Sequence, residues 1–178
     1  MFDKKVVLYI AMSLDGYIAK SDDDISWLSM VEEPNEDYGY QAFVDSVDTV
    51  LMGRKTYEKV LTFGIEFPHK NRKCYIISNS KYENNEDVEF YGGDLADLIH
   101  TIKQNSNTNK SIFVDGGANL AHSLISLNLI DEFVISIIPT FLGEGKKLFN
   151  TGIPEQQLEL LKSESFSSGL VQLTYKRK

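Results

Sequence analysis

The stretch Val114-Asp115-Gly116-Gly117-Ala118-Asn119-Leu120 constrains this chain more than any other. An apolar run, Ser111-Ile112-Phe113, leads into it. Leu120, Leu124, Ile125 and Leu127 follow at helical spacing. The pattern is strand, glycine turn, helix. Such a turn leaves backbone N–H groups free at a helix start, where the dipole favours an anion. Adjacent glycines let a phosphate approach without meeting a Cβ. They equally suit a tight connection with no ligand, and the full G-x-G-x-x-G fingerprint is absent. Taken alone, the turn leaves both readings open.

The arrangement recurs along the chain. Lys5–Met12 reads as a buried first strand that runs into the turn Asp15-Gly16. After a polar loop, Tyr40, Phe43, Val44 and Val47 fall on one face of a helix. Asp48–Met52 reads as a second strand, and Gly53-Arg54-Lys55-Thr56 opens the next helix. Thr62–Lys73 reads as a loop. Lys73–Ile77 is a third strand, closed by Ser78-Asn79-Ser80, and Val88–Tyr91 a fourth. Leu95, Leu98, Ile99 and Ile102 mark a helix. Asp131–Pro139 is a further strand, Thr140–Lys147 a loop, and Leu158 to Tyr175 a terminal β-hairpin. The expectation is one α/β domain over residues 1–178, with a mixed, mostly parallel sheet ending in an antiparallel hairpin. Ligands of such sheets bind beyond the carboxyl ends of the strands. The turns after Met52, Ile77 and Asp115 all fall there.

Composition narrows the function classes. The net charge is −8 over 178 residues, which argues against a nucleic-acid surface or an anionic membrane surface. The opening Met1–Ile10 segment is too short for a membrane span or a signal core. The one cysteine, Cys74, sits in an apolar run and reads as a small core residue in a reducing compartment, so a cytoplasmic location is expected. His69, His100 and His122 are scattered without metal-ligand spacing.

Arg54 and Lys55 put two cations at a helix start, where the dipole disfavours them. They are either solvated surface charge or partners of an anion. As partners, Arg54 offers a bidentate phosphate contact and Thr56 a hydroxyl. Ser78 and Ser80 add hydroxyls at the next strand end. With Gly116-Gly117, these groups suit a ligand carrying several phosphates, and NADPH is such a ligand.

The chain resembles the dihydrofolate reductase superfamily, and within it the RibD C-terminal domain family, the reductase domain of riboflavin biosynthesis. The resemblance rests on Ser13-Leu14-Asp15-Gly16-Tyr17-Ile18-Ala19, Ile25-Ser26-Trp27-Leu28, Met52-Gly53-Arg54-Lys55-Thr56-Tyr57-Glu58, Ser78-Asn79-Ser80, Val114 to Leu120, Asp131 to Pro139, Leu142-Gly143-Glu144-Gly145 and Leu148-Phe149. It implies a three-layer α-β-α fold and NADPH as hydride donor. It implies that Ala11 and Ile18 hold the nicotinamide end, and that Gly53, Arg54, Lys55 and Thr56 take phosphates. Ser78, Asn79 and Ser80 would lie along the adenosine. Gly116, Gly117, Ala118, Asn119 and Leu120 would cover the pyrophosphate and its ribose. Trp27 would line the junction of cofactor and substrate. A homodimer is implied too, with the Phe133–Pro139 strand and the terminal hairpin as the contact.

Hydride transfer to a C=N or C=O group also needs a proton. By resemblance, Asp115 meets the substrate and is the leading donor. The alternative is a carboxylate that accepts the N–H bonds of its own turn. Asp15 reads as a brace of the first turn. The substrate implied by resemblance is 5-amino-6-(5-phosphoribosylamino)uracil, with dihydrofolate as an alternative. Yet the segment from Asp37 to Asp48 holds no Lys or Arg, and an acidic helix repels a phosphate. An unphosphorylated heterocycle, imine or ketone is therefore also expected. A non-catalytic nucleotide-binding protein that keeps only the cofactor site is the competing reading.

Overall fold

The computed structural model describes residues 4–80 and 82–178. The start of the Met1–Ile10 segment thus lies outside the described residues. The chain opens with β1 (Val6–Ser13) and β2 (Tyr17–Ala19), then a 3-10 turn, Ser26–Val31. Next come α1 (Tyr40–Asp45), β3 (Val47–Gly53) and α2 (Arg54–Leu61). They are followed by β4 (Lys73–Ile77), β5 (Val88–Tyr91) and α3 (Leu95–Gln104). The glycine turn separates β6 (Ser111–Gly116) from α4 (Ala118–Ser126). The chain continues through β7 (Glu132–Ile138) and β8 (Lys146–Lys147) to the hairpin of β9 (Leu158–Ser165) and β10 (Val171–Arg177).

Eight strands form one sheet in the order β5-β4-β3-β6-β1-β7-β10-β9. The first six run parallel, and β10 pairs antiparallel with both β7 and β9. This is the mixed sheet the sequence pattern predicts. Its central strands are apolar on both faces, as a sheet covered on both sides requires: Val50, Leu51 and Met52 are fully buried. Over one face, Phe43 of α1 and Tyr57 of α2 pack on Val50, Met52, Cys74, Ile76 and Phe113. Over the other, Leu98 and Ile99 of α3 and Leu120, Ala121, Leu124 and Ile125 of α4 pack on Val6, Leu8, Ile112 and Val114. The layers are therefore α-β-α. No helix among the described residues is long and apolar enough to cross a membrane.

Two expectations fail locally. Val47 is not on the helix: α1 stops at Asp45, where Ser46 turns the chain by donating both its N–H and its hydroxyl to the Phe43 carbonyl. Val47 instead begins β3, buried in the sheet. Thr140–Lys147 is not wholly loop: β8 pairs antiparallel with β2, Tyr17 against Lys147. Gly145 allows that approach, since a Cβ there would lie 2.2 Å from the Ala19 carbonyl oxygen.

Candidate active site

Register decides where the turns meet. Met52 pairs with Gly116, and Gly53 with Ile77. The carboxyl ends of β3, β4 and β6 therefore lie level along one edge of the sheet. At that edge the two glycine turns touch. A Cβ on Gly117 would lie 3.4 Å from Gly53 Cα and 3.3 Å from Thr56 Oγ1. Gly116 and Gly117 hold φ of 128° and 97°, which L side chains rarely adopt. Gly53 caps α2 and Gly117 caps α4, and neither has a side chain to satisfy the first N–H groups. By contrast α3, which starts after β5 at the same end of the sheet, is capped by Asp94, which accepts from Ala96 N–H and Asp97 N–H. The two uncapped helix starts thus offer unused N–H donors at one place.

These turns form part of the wall of a cavity of about 1280 Å³. That exceeds the roughly 300–1,000 Å³ of a pocket for one drug-sized ligand. Its lining includes Ala11, Ile18, Gly53, Arg54, Lys55, Thr56, Ser78, Asn79, Ser80, Gly116, Gly117, Ala118, Asn119 and Leu120. All the positions that the resemblance assigns to the cofactor therefore come together. Asp115 lines the same cavity. Trp27 does not: it is 7 % exposed and packs with Val31, Ile138 and Leu170. Its neighbour Leu28 faces the cavity in its place.

The polar groups differ in how free they are. Arg54 is paired one turn on with Glu58, at 2.5 Å, and its guanidinium lies over the Tyr82 ring at 5.8 Å. Those contacts, led by Glu58, raise its pKa further. The Ser78 hydroxyl donates to the Ser80 carbonyl and accepts from the Ser80 N–H, both at 3.1 Å, so it shapes the turn. Lys59, one turn after Lys55, also faces the cavity.

Aromatic rings share the cavity wall with Asp115. Tyr9 stacks on Phe43 at 4.6 Å and meets Tyr40 edge-on at 5.7 Å, and Phe43 meets Phe113 at 5.0 Å. Tyr9, Tyr40 and Phe113 line the cavity with Asp115. Burial, reinforced by the negative charge of Asp115, pushes the Tyr40 hydroxyl up to about 12. Burial and Asp115 likewise push the Cys74 thiol up to about 12, which suits a packing residue and not a nucleophile. Asp15 braces the first turn as expected. Partial desolvation works to raise its pKa, but bonds from Ser13 Oγ and from the N–H groups of Gly143 and Leu142 outweigh it and hold the carboxyl low.

Asp115 has a partner that the sequence reading missed. His69 Nε2 lies 2.9 Å from Asp115 Oδ2, and His69 is 1 % exposed. Its place in the Thr62–Lys73 loop, outside any periodic stretch, concealed it. The adjoining Phe67-Pro68, an apolar pair inside that loop, was the one available sign that the segment folds inward. The other histidines lie apart: His100 Nε2 pairs with Gln104 along α3, and His122 is on α4.

A family model, the RibD C-terminal domain, matches residues 4–172. The chain belongs to that family, a reductase family with the dihydrofolate reductase-like fold. Two relatives from Bacillus subtilis (strain 168) are similar along almost all their length. YwjB, an uncharacterized protein, is 40% identical over 177 residues, covering 98% of this chain and 99% of its own. YyaP, also uncharacterized, is 30% identical over 186 residues, covering 97% and 94%. A putative riboflavin biosynthesis protein from Shewanella sp. PV-4 superposes with a TM-score of 0.89 at 33% identity, over 98% of this chain and 99% of that one. The fold also matches the deaminase/5-amino-6-(5-phosphoribosylamino)uracil reductase of Thermotoga maritima, with a TM-score of 0.69 at 16% identity. That match covers 99% of this chain and 57% of the Thermotoga chain.

Proposed function

We propose that this chain is an NADPH-dependent reductase of a small heterocyclic, imine or carbonyl compound. One observation carries the reading: two uncapped helix N-termini meet at Gly53 and Gly117 on the wall of a cavity of about 1280 Å³. The donor set fits the cofactor. Ala118 and Asn119, at the start of α4, and the N–H groups after Gly53 suit a pyrophosphate. Arg54, Lys55 and Thr56 suit the 2′-phosphate, which NADH lacks. Ala11 and Ile18 give an apolar wall for the nicotinamide ring. When bound, NADPH supplies the hydride to the acceptor carbon. The acceptor nitrogen or oxygen takes a proton, and Asp115, on the same cavity wall as Tyr9, Tyr40 and Phe113, is the acidic group that would supply it.

Calorimetric titration with NADPH and NADH tests the cofactor. Tryptophan fluorescence is a poor reporter, because Trp27 is buried away from the cavity wall. Tight NADPH binding with much weaker NADH binding supports the reading, and no binding of either sinks it. NADPH oxidation is then followed with 5-amino-6-(5-phosphoribosylamino)uracil, its dephosphorylated nucleoside and dihydrofolate. The lack of Lys and Arg from Asp37 to Asp48 favours the nucleoside over the phosphate. NADPH binding with no turnover of any of them would favour a nucleotide-binding protein instead.

We also propose a homodimer through the hairpin side of the sheet. Phe133, Ile135, Ile137, Leu173 and Tyr175 line an apolar groove of about 320 Å³. Beside it on β9, Leu160 and Leu161 are 51 % and 46 % exposed. Apolar surface of this kind favours a second copy. A monomer mass by light scattering at micromolar concentration would count against it.

A further inference from the structure

A buried imidazole is costly unless its nitrogens are used. In His69 only one is. Nε2 faces Asp115 Oδ2 at 2.9 Å, while Nδ1 is buried with no partner. Phe67 and Phe113 meet the ring edge-on, with centroids at 5.7 and 5.8 Å. A proton on Nδ1 would be an N–H donor sealed among aromatic rings. Hydrogen-bond accounting therefore puts the N–H on Nε2, aimed at a carboxylate oxygen.

The backbone that carries the ring is tied on several sides. The His69 carbonyl accepts from the Arg72 N–H at 2.9 Å and from Cys74 Sγ at 3.5 Å. The Phe67 carbonyl accepts from the Lys70 N–H at 3.2 Å. The Arg72 guanidinium reaches the Pro68 carbonyl at 3.4 Å and the Val44 carbonyl, at the end of α1, at 3.0 Å. A loop held this way keeps the imidazole in place. Asp115 is open on its other side: its side chain is 20 % exposed and lines the cavity. Among the described residues, the bond from His69 is the one hydrogen bond its carboxylate makes.

We infer that His69 is a positioning residue: its Nε2–H holds Asp115 Oδ2, fixes the carboxylate plane and presents Oδ1 to the substrate. The inference rests on the reductase reading: with Oδ2 held by His69, Oδ1 is the oxygen left on the cavity side to carry the proton to the acceptor nitrogen or oxygen.

Two measurements test this, and the first needs no substrate. Nitrogen-15 spectra of the histidine-labelled full chain read the tautomer. His69 is expected as a single Nε2–H form, and Asp115→Ala is expected to shift its Nε2 resonance, because that N–H loses its carboxylate partner. An Nδ1–H form in the unaltered chain, or an unchanged ring in Asp115→Ala, overturns the inference. The second measurement is rescue, with NADPH and the dephosphorylated nucleoside as probe. His69→Phe fills the volume without a donor and is expected to lose about tenfold or more in kcat/KM. His69→Gln keeps an N–H donor at similar reach and is expected to recover most of the loss. Equal losses in the two variants overturn the positioning role. Calorimetry with NADPH separates the two failures. An unaltered chain that binds no NADPH defeats the reductase reading, while the spectra still decide the His69–Asp115 pair.

Discussion

Gly53 and Gly117 are in van der Waals reach of each other: a Cβ on Gly117 would sit 3.4 Å from Gly53 Cα. The two helix starts are thereby brought to one point. Gly117→Ala meets both that contact and a φ of 97°, a conformation that costs an L residue about 1–2 kcal/mol. The expected result is a lower denaturation midpoint together with NADPH affinity reduced by roughly tenfold, since the N–H groups shift from their aim. A variant that loses stability but binds NADPH as before would show that the turn is structural only.

Arg54 is expected to discriminate between NADPH and NADH. In the free protein it is paired with Glu58 and lies over Tyr82. Removing it in Arg54→Ala should weaken NADPH binding by roughly tenfold or more, the loss expected for a charge-assisted bond, and barely change NADH. Glu58→Gln should do the reverse and tighten NADPH modestly, because Arg54 then has no competing carboxylate. Calorimetric constants for both dinucleotides check it.

Asp115→Asn retains the shape of the side chain and an oxygen for His69 Nε2. It removes the charge and any acidic proton. Turnover with NADPH should fall by about 10²–10⁴, the range of a lost acid–base group, while NADPH affinity changes little. Parallel loss of binding and turnover would place Asp115 in cofactor binding instead.

Far from the cavity, Lys4 is buried and paired with Asp48, which also accepts from Thr108 and Thr49. Desolvation raises the Asp48 pKa, but the bonds from Lys4, Thr108 and Thr49 outweigh it and hold the carboxyl below its ordinary 3.8. A depressed carboxylate stabilises the fold above its unfolded pKa. That contribution is lost as pH falls through the folded value. Thermal midpoints should therefore drop below about pH 4 more steeply in the unaltered chain than in Asp48→Asn. At neutral pH, Asp48→Ala should cost about 3 kcal/mol, because Lys4 is left buried and unpaired.

Much of this was legible in the sequence because it is local. Apolar runs that end in glycine or serine mark β3, β4 and β6, and the residues after each run are the ones that line the cavity. Other features depend on distant partners. Val47 fits a helical stripe with Phe43 and Val44, and only the Ser46 turn assigns it to β3. β2 and β8 span three and two residues, too short for any periodicity, and exist because Gly145 presses against Ala19. Trp27 carries the motif, but Leu28 reaches the cavity wall: the 3-10 turn sends successive side chains in different directions. The pairing of His69 with Asp115 joins a loop to a strand across 46 positions, and nothing around His69 alone announces it.

The sheet order has a further consequence for assembly. β1 lies between β6 and β7, so the earliest strand has no neighbour to pair with until residues 111–116 and 132–138 have been made. The turn at Gly53–Thr56 likewise waits for Gly117. A nascent chain that stops short of β6 carries one of the two glycine turns and an unpartnered apolar strand. The cavity is thus a late product of synthesis, and the early strand is the segment most in need of shielding before it closes.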